Sequence, residues 1–156
     1  MRHSRVADRR HLVDDVRMVQ LASIHLFVTA ALVGLIWVVQ LVVYPALQLV
    51  DERGFAAYHS AHMQRITWVV APLMLTEVAT LALVLAYSGY GSSARLASAA
   101  ALVAVWASTA FVQVPLHTQL RNCGKDNAVI ARLVASNWLR TVLWSARGAL
   151  VLGCGV

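Results

Sequence analysis

The chain consists mainly of long apolar stretches that are separated by short polar connections. A helix that crosses a membrane needs about 20 apolar residues, and four stretches approach that length, at about 19–43, 66–87, 96–114 and 138–155. The chain has 156 residues, of which 60% are hydrophobic and only 13% are charged, as is typical of an integral membrane protein. The sequence therefore predicts an all-α fold, an up-down-up-down four-helix bundle in which residues 1–156 form a single membrane domain.

The segments around these spans predict their boundaries and their orientation. Residues 1–18 are too long and too mixed in charge for a signal peptide, so we expect a retained cytoplasmic segment. Pro45 and Pro115 are predicted to end the first and third spans, because proline interrupts helical hydrogen bonding, and Pro72 predicts a kink in the second. HTQLRNCGKDN reads as a polar loop. Arginines in the N-terminal segment and the middle turn favour the inner membrane with both termini cytoplasmic.

Each predicted span carries its polar residues on one face at helical spacing. The four faces comprise His25, Thr29, Ile36, Gln40 and Tyr44; His59, His62, Thr76, Glu77 and Thr80; Trp106, Thr109, Gln113 and His117; and Ser136, Asn137, Arg140, Trp144 and Arg147. A charge at the centre of a membrane helix costs about 2.5–3.5 kcal/mol. We therefore expect the four faces to converge on a polar interior, with Trp106 and Trp144 available to stack on a flat ligand.

His59 and His62 lie one helical turn apart and predict a metal site, with His117 as a third ligand. Three histidines with an open position suit zinc, copper or iron. A His-x-x-His pair is a weak motif, so a proton-transfer or ligand-binding role without any cofactor, and a purely structural role, stay open. Three more polar residues at this depth are candidates for binding a cofactor or ligand: Gln40, Tyr44 and Gln113.

Glu77 and Arg147 lie near the middle of their spans, where an unpaired charge is costly. The sequence therefore predicts that they form an ion pair between the second and fourth spans. Such a pair either holds the two helices together or makes Glu77 a proton carrier.

The remaining composition limits the classes of partner. The net charge of +6 comes from residues spread over termini, loops and helix ends, so the lipid bilayer is the expected partner and nucleic acid is not. Cys123 and Cys154 are predicted on opposite membrane faces, where they cannot pair, which argues against thiol redox chemistry. A hydrophobic small molecule and a second copy of the chain are further candidate partners.

The C-terminal third carries the segment QVPLHTQL followed by NWLRTVLWSAR. These motifs resemble the anthrone oxygenase-like family of small four-helix membrane proteins, whose pattern has asparagine at the positions of Gln113 and His117. The resemblance implies an oxygenase-like oxidation of a flat polycyclic phenol in the membrane, with or without a bound cofactor. It also implies that His117 is the catalytic base and that Asn137 and Arg140 stabilise the phenolate.

Three functional hypotheses follow from these patterns. The first is an oxidoreductase or oxygenase-like enzyme for a hydrophobic substrate, with its site on the extracytoplasmic side. The second is a small transporter or proton-coupled permease that uses Glu77 and Arg147. The third is a non-catalytic membrane subunit, in which the polar faces only hold helices together.

Overall fold

The computed structural model describes the backbone of residues 2–88 and 92–154, and the side chains of residues 12, 14–88 and 92–153. The described residues form four long helices, so the predicted all-α fold is confirmed. The first long helix consists of α1 (Arg2–Val38), a π-helical turn (Val39–Val43), α2 (Tyr44–Ala46) and a 3-10 turn (Leu47–Leu49). The second is α3 (Glu52–Ser88). The third consists of α4 (Ser93–Ser108), a π-helical turn (Thr109–Gln113) and α5 (Val114–Cys123). The fourth is α6 (Asn127–Cys154).

Three of these helices are long and apolar enough to cross a membrane: Asp14–Leu49, Glu52–Ser88 and Ser93–Cys123. The fourth, α6, has 28 residues, which corresponds to about 42 Å at 1.5 Å per residue, but its arginines make it less apolar. The predicted spans lie within these longer helices, except that residue 155, the predicted end of the last span, lies outside the described residues. The side chain of Cys154 also lies outside them, whereas Cys123 is a free, exposed thiol.

Pro45 and Pro115 do not end their helices, and this prediction is wrong. Each proline follows a five-residue π-helical turn, and the helix continues beyond it. The backbone N–H of Tyr44 donates to the carbonyl of Val39, and that of Val114 donates to Thr109, so each turn is wider than an α-turn. The wider turn accommodates a residue that lacks an N–H and clashes with the carbonyl four positions before it.

The predicted polar loop HTQLRNCGKDN is also mostly helical, and only residues 124–126 leave the helix. Gly124 ends α5 with a φ of 82°, a conformation that glycine adopts without strain. The carboxylate of Asp126 then accepts hydrogen bonds from the backbone N–H groups of Ala128 and Val129 and so caps α6. Lys125 donates to two carbonyls at the end of the first long helix and ties the connection to it.

Polar and apolar side chains alternate in layers along the bundle. Two apolar layers are named here: the cap cluster is Val39, Tyr44, Leu47, Phe55, Leu116, Leu120, Val129, Ile130 and Leu133. The middle cluster is Val28, Leu32, Ile36, Met74, Leu81, Leu102, Val105 and Trp144. One polar layer lies between these two, and a second lies beyond the middle cluster. Helix α1 packs against α3 and α6, and α6 packs against α4, while α3 and α4 pack less closely against each other.

The π-helical turn before Pro115 makes a testable prediction about register. Such a turn contains one residue more than an α-helix needs. Deleting Val112 from it, in a Pro115→Ala background, should restore a regular helix and leave His117 beside Tyr44. Deleting Val103 from regular α4, in the same background, should rotate every later residue by about 100°. Thermal unfolding in mild detergent should show that the variant without Val112 is folded and that the variant without Val103 is not. An equal loss of thermal stability in both variants would contradict this account.

Candidate functional site

The four polar faces converge in the bundle interior as predicted. Every member on the first long helix is buried, and so are Glu77, Gln113, His117 and Arg147. Two members depart from the prediction, since Thr76 is exposed and Trp106 is 37% exposed. The buried polar residues divide into two clusters, defined here by their members. The Arg147 cluster contains His25, Thr29, Glu77, Thr80, Ser98 and Arg147, and the His117 cluster contains Gln40, Tyr44, His59, Gln113, His117, Asn137 and Arg140.

Arg147 is the centre of its cluster and contacts one residue from each of the other three long helices. Its Nε donates to Glu77 Oε1 at 2.9 Å, and its Nη2 donates to the same oxygen. Its Nη1 donates to the hydroxyl of Ser98 at 2.6 Å and to the Ser98 carbonyl at 2.8 Å. The predicted Glu77–Arg147 ion pair is therefore present, and both side chains are fully buried.

The orientation of Arg147 decides the tautomer of His25. A guanidinium N–H can only donate, so the Nε2 of His25, 3.2 Å from Arg147 Nη2, must accept. The ring proton then lies on Nδ1 and is donated to the hydroxyl of Thr80 at 2.8 Å. The Thr80 hydroxyl in turn donates a hydrogen bond to the carbonyl of Thr76 at 2.8 Å. Because Nε2 accepts and only Nδ1 carries a proton, the His25 ring is neutral.

The two oxygens of Glu77 have unequal surroundings. Oε1 accepts from Arg147 and from the hydroxyl of Thr29 at 2.6 Å. Oε2 is buried and has no hydrogen-bond partner, and it lies 3.9 Å from His25 Nδ1. The carboxylate is thus held against the guanidinium by one oxygen, and the two charges neutralise each other.

This arrangement predicts how the ion pair contributes to stability. Arg147→Met should lower the free energy of unfolding by about 3–5 kcal/mol, because it leaves the Glu77 charge buried without its partner. The double variant Glu77→Met/Arg147→Met should recover most of that loss, since it removes both charges and fills the space with apolar side chains. Unfolding of the purified protein in mixed micelles by a denaturing detergent measures both values. A double variant as unstable as the single one would contradict a predominantly structural pair.

The His117 cluster contains a chain of hydrogen bonds. The Tyr44 hydroxyl lies 3.1 Å from His117 Nε2, and His117 Nδ1 lies 3.1 Å from His59 Nε2. Arg140 lines the same cavity as Tyr44 and His117, and its guanidinium can only donate hydrogen bonds. The chain links Tyr44 through His117 to His59, whose Nδ1 is buried without a partner.

The three histidines of the predicted metal site are only partly brought together. The rings of His59 and His117 stack with centroids 5.3 Å apart, whereas His62 is half-buried and stacks on Tyr58. Among the residues that the structure describes, no group of three or more histidine, cysteine, aspartate or glutamate side chains is arranged to hold a metal ion. The geometry of these residues thus fits a hydrogen-bonded pair of imidazoles, and His62 stands apart from it.

Gln40 and Asn137 orient Arg140. The carbonyl of Val134 can only accept, so Gln40 must use its Nε2 to donate to it, at 3.2 Å. Gln40 Oε1 then accepts from Asn137 Nδ2 at 2.8 Å, and Asn137 Oδ1 accepts from Arg140 Nη1 at 3.1 Å. Each amide orientation follows from the previous one. Gln40 therefore positions Asn137 and, through it, Arg140, whereas the sequence predicted that Gln40 binds a cofactor or ligand.

One end of a cavity of about 330 Å³ is formed by this cluster. Apart from Thr67, its polar lining comes from residues that the sequence singled out: Tyr44, His62, Thr109, Gln113, His117 and Arg140. The other walls are apolar and include Ile36, Val70 and Met74, with the indole rings of Trp106 and Trp144. Two polar atoms in this lining are buried without partners, Gln113 Oε1 and Arg140 Nε. The cavity thus offers an acceptor and a cation beside a large apolar surface.

Ser98 was missed by sequence reasoning, although it gives Arg147 two of its hydrogen bonds. It lies eleven residues before Thr109, and eleven residues are about three helical turns, so it shares the polar face of the third long helix. A serine among small residues gave no reason to select it. Thr141, which donates to Gln40 at 3.5 Å, was missed in the same way.

No protein-family model, curated protein or solved structure is significantly similar to this chain.

The orienting role of Gln40 can be tested by stability measurements. Gln40→Leu should lower the free energy of unfolding by about 1–3 kcal/mol, because it removes the acceptor of the buried Asn137 amide. The matched control is Gln119→Leu, which makes the same change at an exposed position. Denaturing-detergent titration measures both variants. If the two substitutions have the same effect, Gln40 does not hold this network.

Proposed function

We propose that the protein is an integral membrane oxidoreductase, an oxygenase-like enzyme that oxidises a flat hydrophobic phenol. In this proposal the four long helices form an up-down-up-down bundle in the inner membrane, and the cavity lies towards the extracytoplasmic side. The observation that supports it best is the cavity itself, whose apolar walls end on Arg140 and on the hydrogen-bond chain from Tyr44 to His59. A volume of about 330 Å³ falls within the usual range for small-molecule sites, about 300–1,000 Å³.

The hydrogen-bond chain suggests how the substrate loses its proton. The substrate hydroxyl gives its proton to the Tyr44 oxygen while Tyr44 gives its own to His117 Nε2. His117 in turn passes the proton on its Nδ1 to His59 Nε2. His59 becomes an imidazolium and the substrate becomes a phenolate. His117 is then the base that the resemblance implies, but it acts through Tyr44 because both of its ring nitrogens are already engaged.

Arg140 stabilises the negative charge that this transfer creates. Among the described residues, no carboxylate lies within salt-bridge distance of Arg140, whereas Arg147 has Glu77. A buried guanidinium without a counter-ion favours an anion beside it, and the phenolate is such an anion. Asn137 holds the guanidinium in place, and Gln113 Oε1 is free to accept from a second hydroxyl of the substrate.

The oxidation step balances with molecular oxygen as the oxidant. A methylene group conjugated with the phenolate loses two hydrogens and gains one oxygen atom to become a carbonyl. The second oxygen atom of O₂ leaves as water with those two hydrogens. The side chains described above supply proton transfer and charge stabilisation for this step, and the electrons pass from the substrate to O₂.

The two other hypotheses receive less support from the contacts. A permease that uses Glu77 needs a polar route along the bundle, yet the middle cluster separates the Arg147 cluster from the cavity. Glu77 is also hydrogen-bonded to Arg147 and Thr29. A non-catalytic subunit does not require a cavity with unpartnered polar atoms in its lining.

Oxygen uptake tests the proposed function with 1,8-dihydroxyanthrone as probe, which carries phenolic hydroxyls and an oxidisable methylene group. The protein in lipid nanodiscs should consume O₂ and convert this probe to the quinone, measured with an oxygen electrode and by absorbance. Tyr44→Phe should lower the rate by about 10²–10⁴-fold, because it interrupts proton transfer, and Arg140→Gln by about 10²–10³-fold, because the anion loses its cation. The matched control is Tyr58→Phe, which makes the same change at an exposed residue outside the cavity lining.

Two results would contradict the proposal. If Tyr44→Phe and Tyr58→Phe turn over at the same rate, the tyrosine relay is wrong. If the unaltered protein neither consumes O₂ nor binds 1,8-dihydroxyanthrone, the proposed activity is wrong.

A further inference from the structure

Two apolar clusters adjoin the cavity. The cap cluster shares Val39 and Tyr44 with the cavity lining, and its members Phe55 and Leu120 are almost fully buried. The middle cluster shares four residues with the lining: Leu32, Ile36, Met74 and Trp144. The described residues therefore surround the cavity mainly with apolar side chains.

The side of the cavity between the second and third long helices is open. Three residues both line the cavity and lie on the outer surface: Leu75 is 61% exposed, Val114 is 53% exposed and Trp106 is 37% exposed. Ala71 and Thr67 on α3 share both properties. The helices on either side of this opening, α3 and α4, pack less closely against each other than α1 packs against α3 or α4 against α6.

The surface around the opening is apolar. On α3 the neighbouring Trp68 is 78% exposed, and on the third long helix Phe111 is 80% exposed. Both helices are among those long and apolar enough to cross a membrane. In a bilayer, this surface faces the hydrocarbon interior, where acyl chains rather than water are in contact with the opening.

We propose that the cavity is filled sideways from the bilayer, through the opening bounded by Ala71 on one side and Trp106 and Val114 on the other. This inference rests on the membrane placement in the proposed function. Its ligand is an amphiphile dissolved in the bilayer, whose polar end reaches Tyr44 and Arg140 while its apolar body extends to the opening. Without such a ligand, lipid acyl chains enter the same space.

Trp144 provides a reporter inside the cavity, because it lines the cavity and is only 1% exposed. A variant that keeps Trp144 and replaces the other four tryptophans by phenylalanine gives a single fluorescent signal. In nanodiscs of phosphatidylcholine brominated on its acyl chains, its fluorescence should fall well below that in unbrominated lipid. Iodide added to the water should leave the fluorescence unchanged.

Ala71→Phe should narrow the opening and reduce quenching by the brominated lipid at least twofold. The matched control is Ala79→Phe, which makes the same change at an exposed position of α3 that does not line the cavity. The control should be quenched like the parent. Both substitutions lie on the surface, so neither is expected to prevent folding.

The outcomes separate this inference from the proposed activity, because the measurement uses no phenol and no O₂. Quenching of Trp144 by iodide but not by brominated lipid would overturn sideways access, and so would equal quenching in Ala71→Phe and Ala79→Phe. A positive result together with absent O₂ uptake would keep the lateral opening and reject the oxygenase. Release of the protein from membranes by alkaline extraction would overturn both.

Discussion

The guanidinium of Arg147 joins all four long helices. Arg147 belongs to the fourth, and it hydrogen-bonds to His25 of the first, Glu77 of the second and Ser98 of the third. A buried cation in an apolar bundle is tolerated only with such partners. Each helix must therefore turn the face that carries its partner inwards. Once these rotations are set, helical periodicity also turns the second set of polar residues inwards, farther along the bundle.

The π-helical turns change the orientation of side chains in the His117 cluster. A proline in a regular helix removes one hydrogen bond and clashes with a preceding carbonyl, and here both Pro45 and Pro115 are accommodated by an extra residue in the preceding turn. The first turn contains Gln40 and the second ends at Gln113. Tyr44 and His117 follow these turns, so the extra residue sets the angle at which the two side chains meet.

The two buried arginines differ in how fully their guanidinium groups are hydrogen-bonded. Arg147 is directly hydrogen-bonded to a carboxylate, a hydroxyl, a carbonyl and an imidazole. Arg140 donates to the Asn137 amide, its Nε is unpartnered, and it lines a cavity. A guanidinium with all its hydrogen bonds made stabilises the bundle. A guanidinium with an unpartnered N–H beside a cavity can bind a ligand. This contrast is why the cavity end carries the proposed function.

The sequence by itself determined the helical class, the inward faces and the Glu77–Arg147 pair. These depend on helical periodicity and on the cost of burying polar groups, which act within a single helix. It did not determine that the helices continue beyond Pro45 and Pro115, that Ser98 completes the Arg147 cluster, or that Gln40 orients Asn137. Those features depend on which side chains of different helices come within hydrogen-bond distance. The separation of His62 from the other two histidines and the opening between α3 and α4 were decided in the same way, by packing between helices.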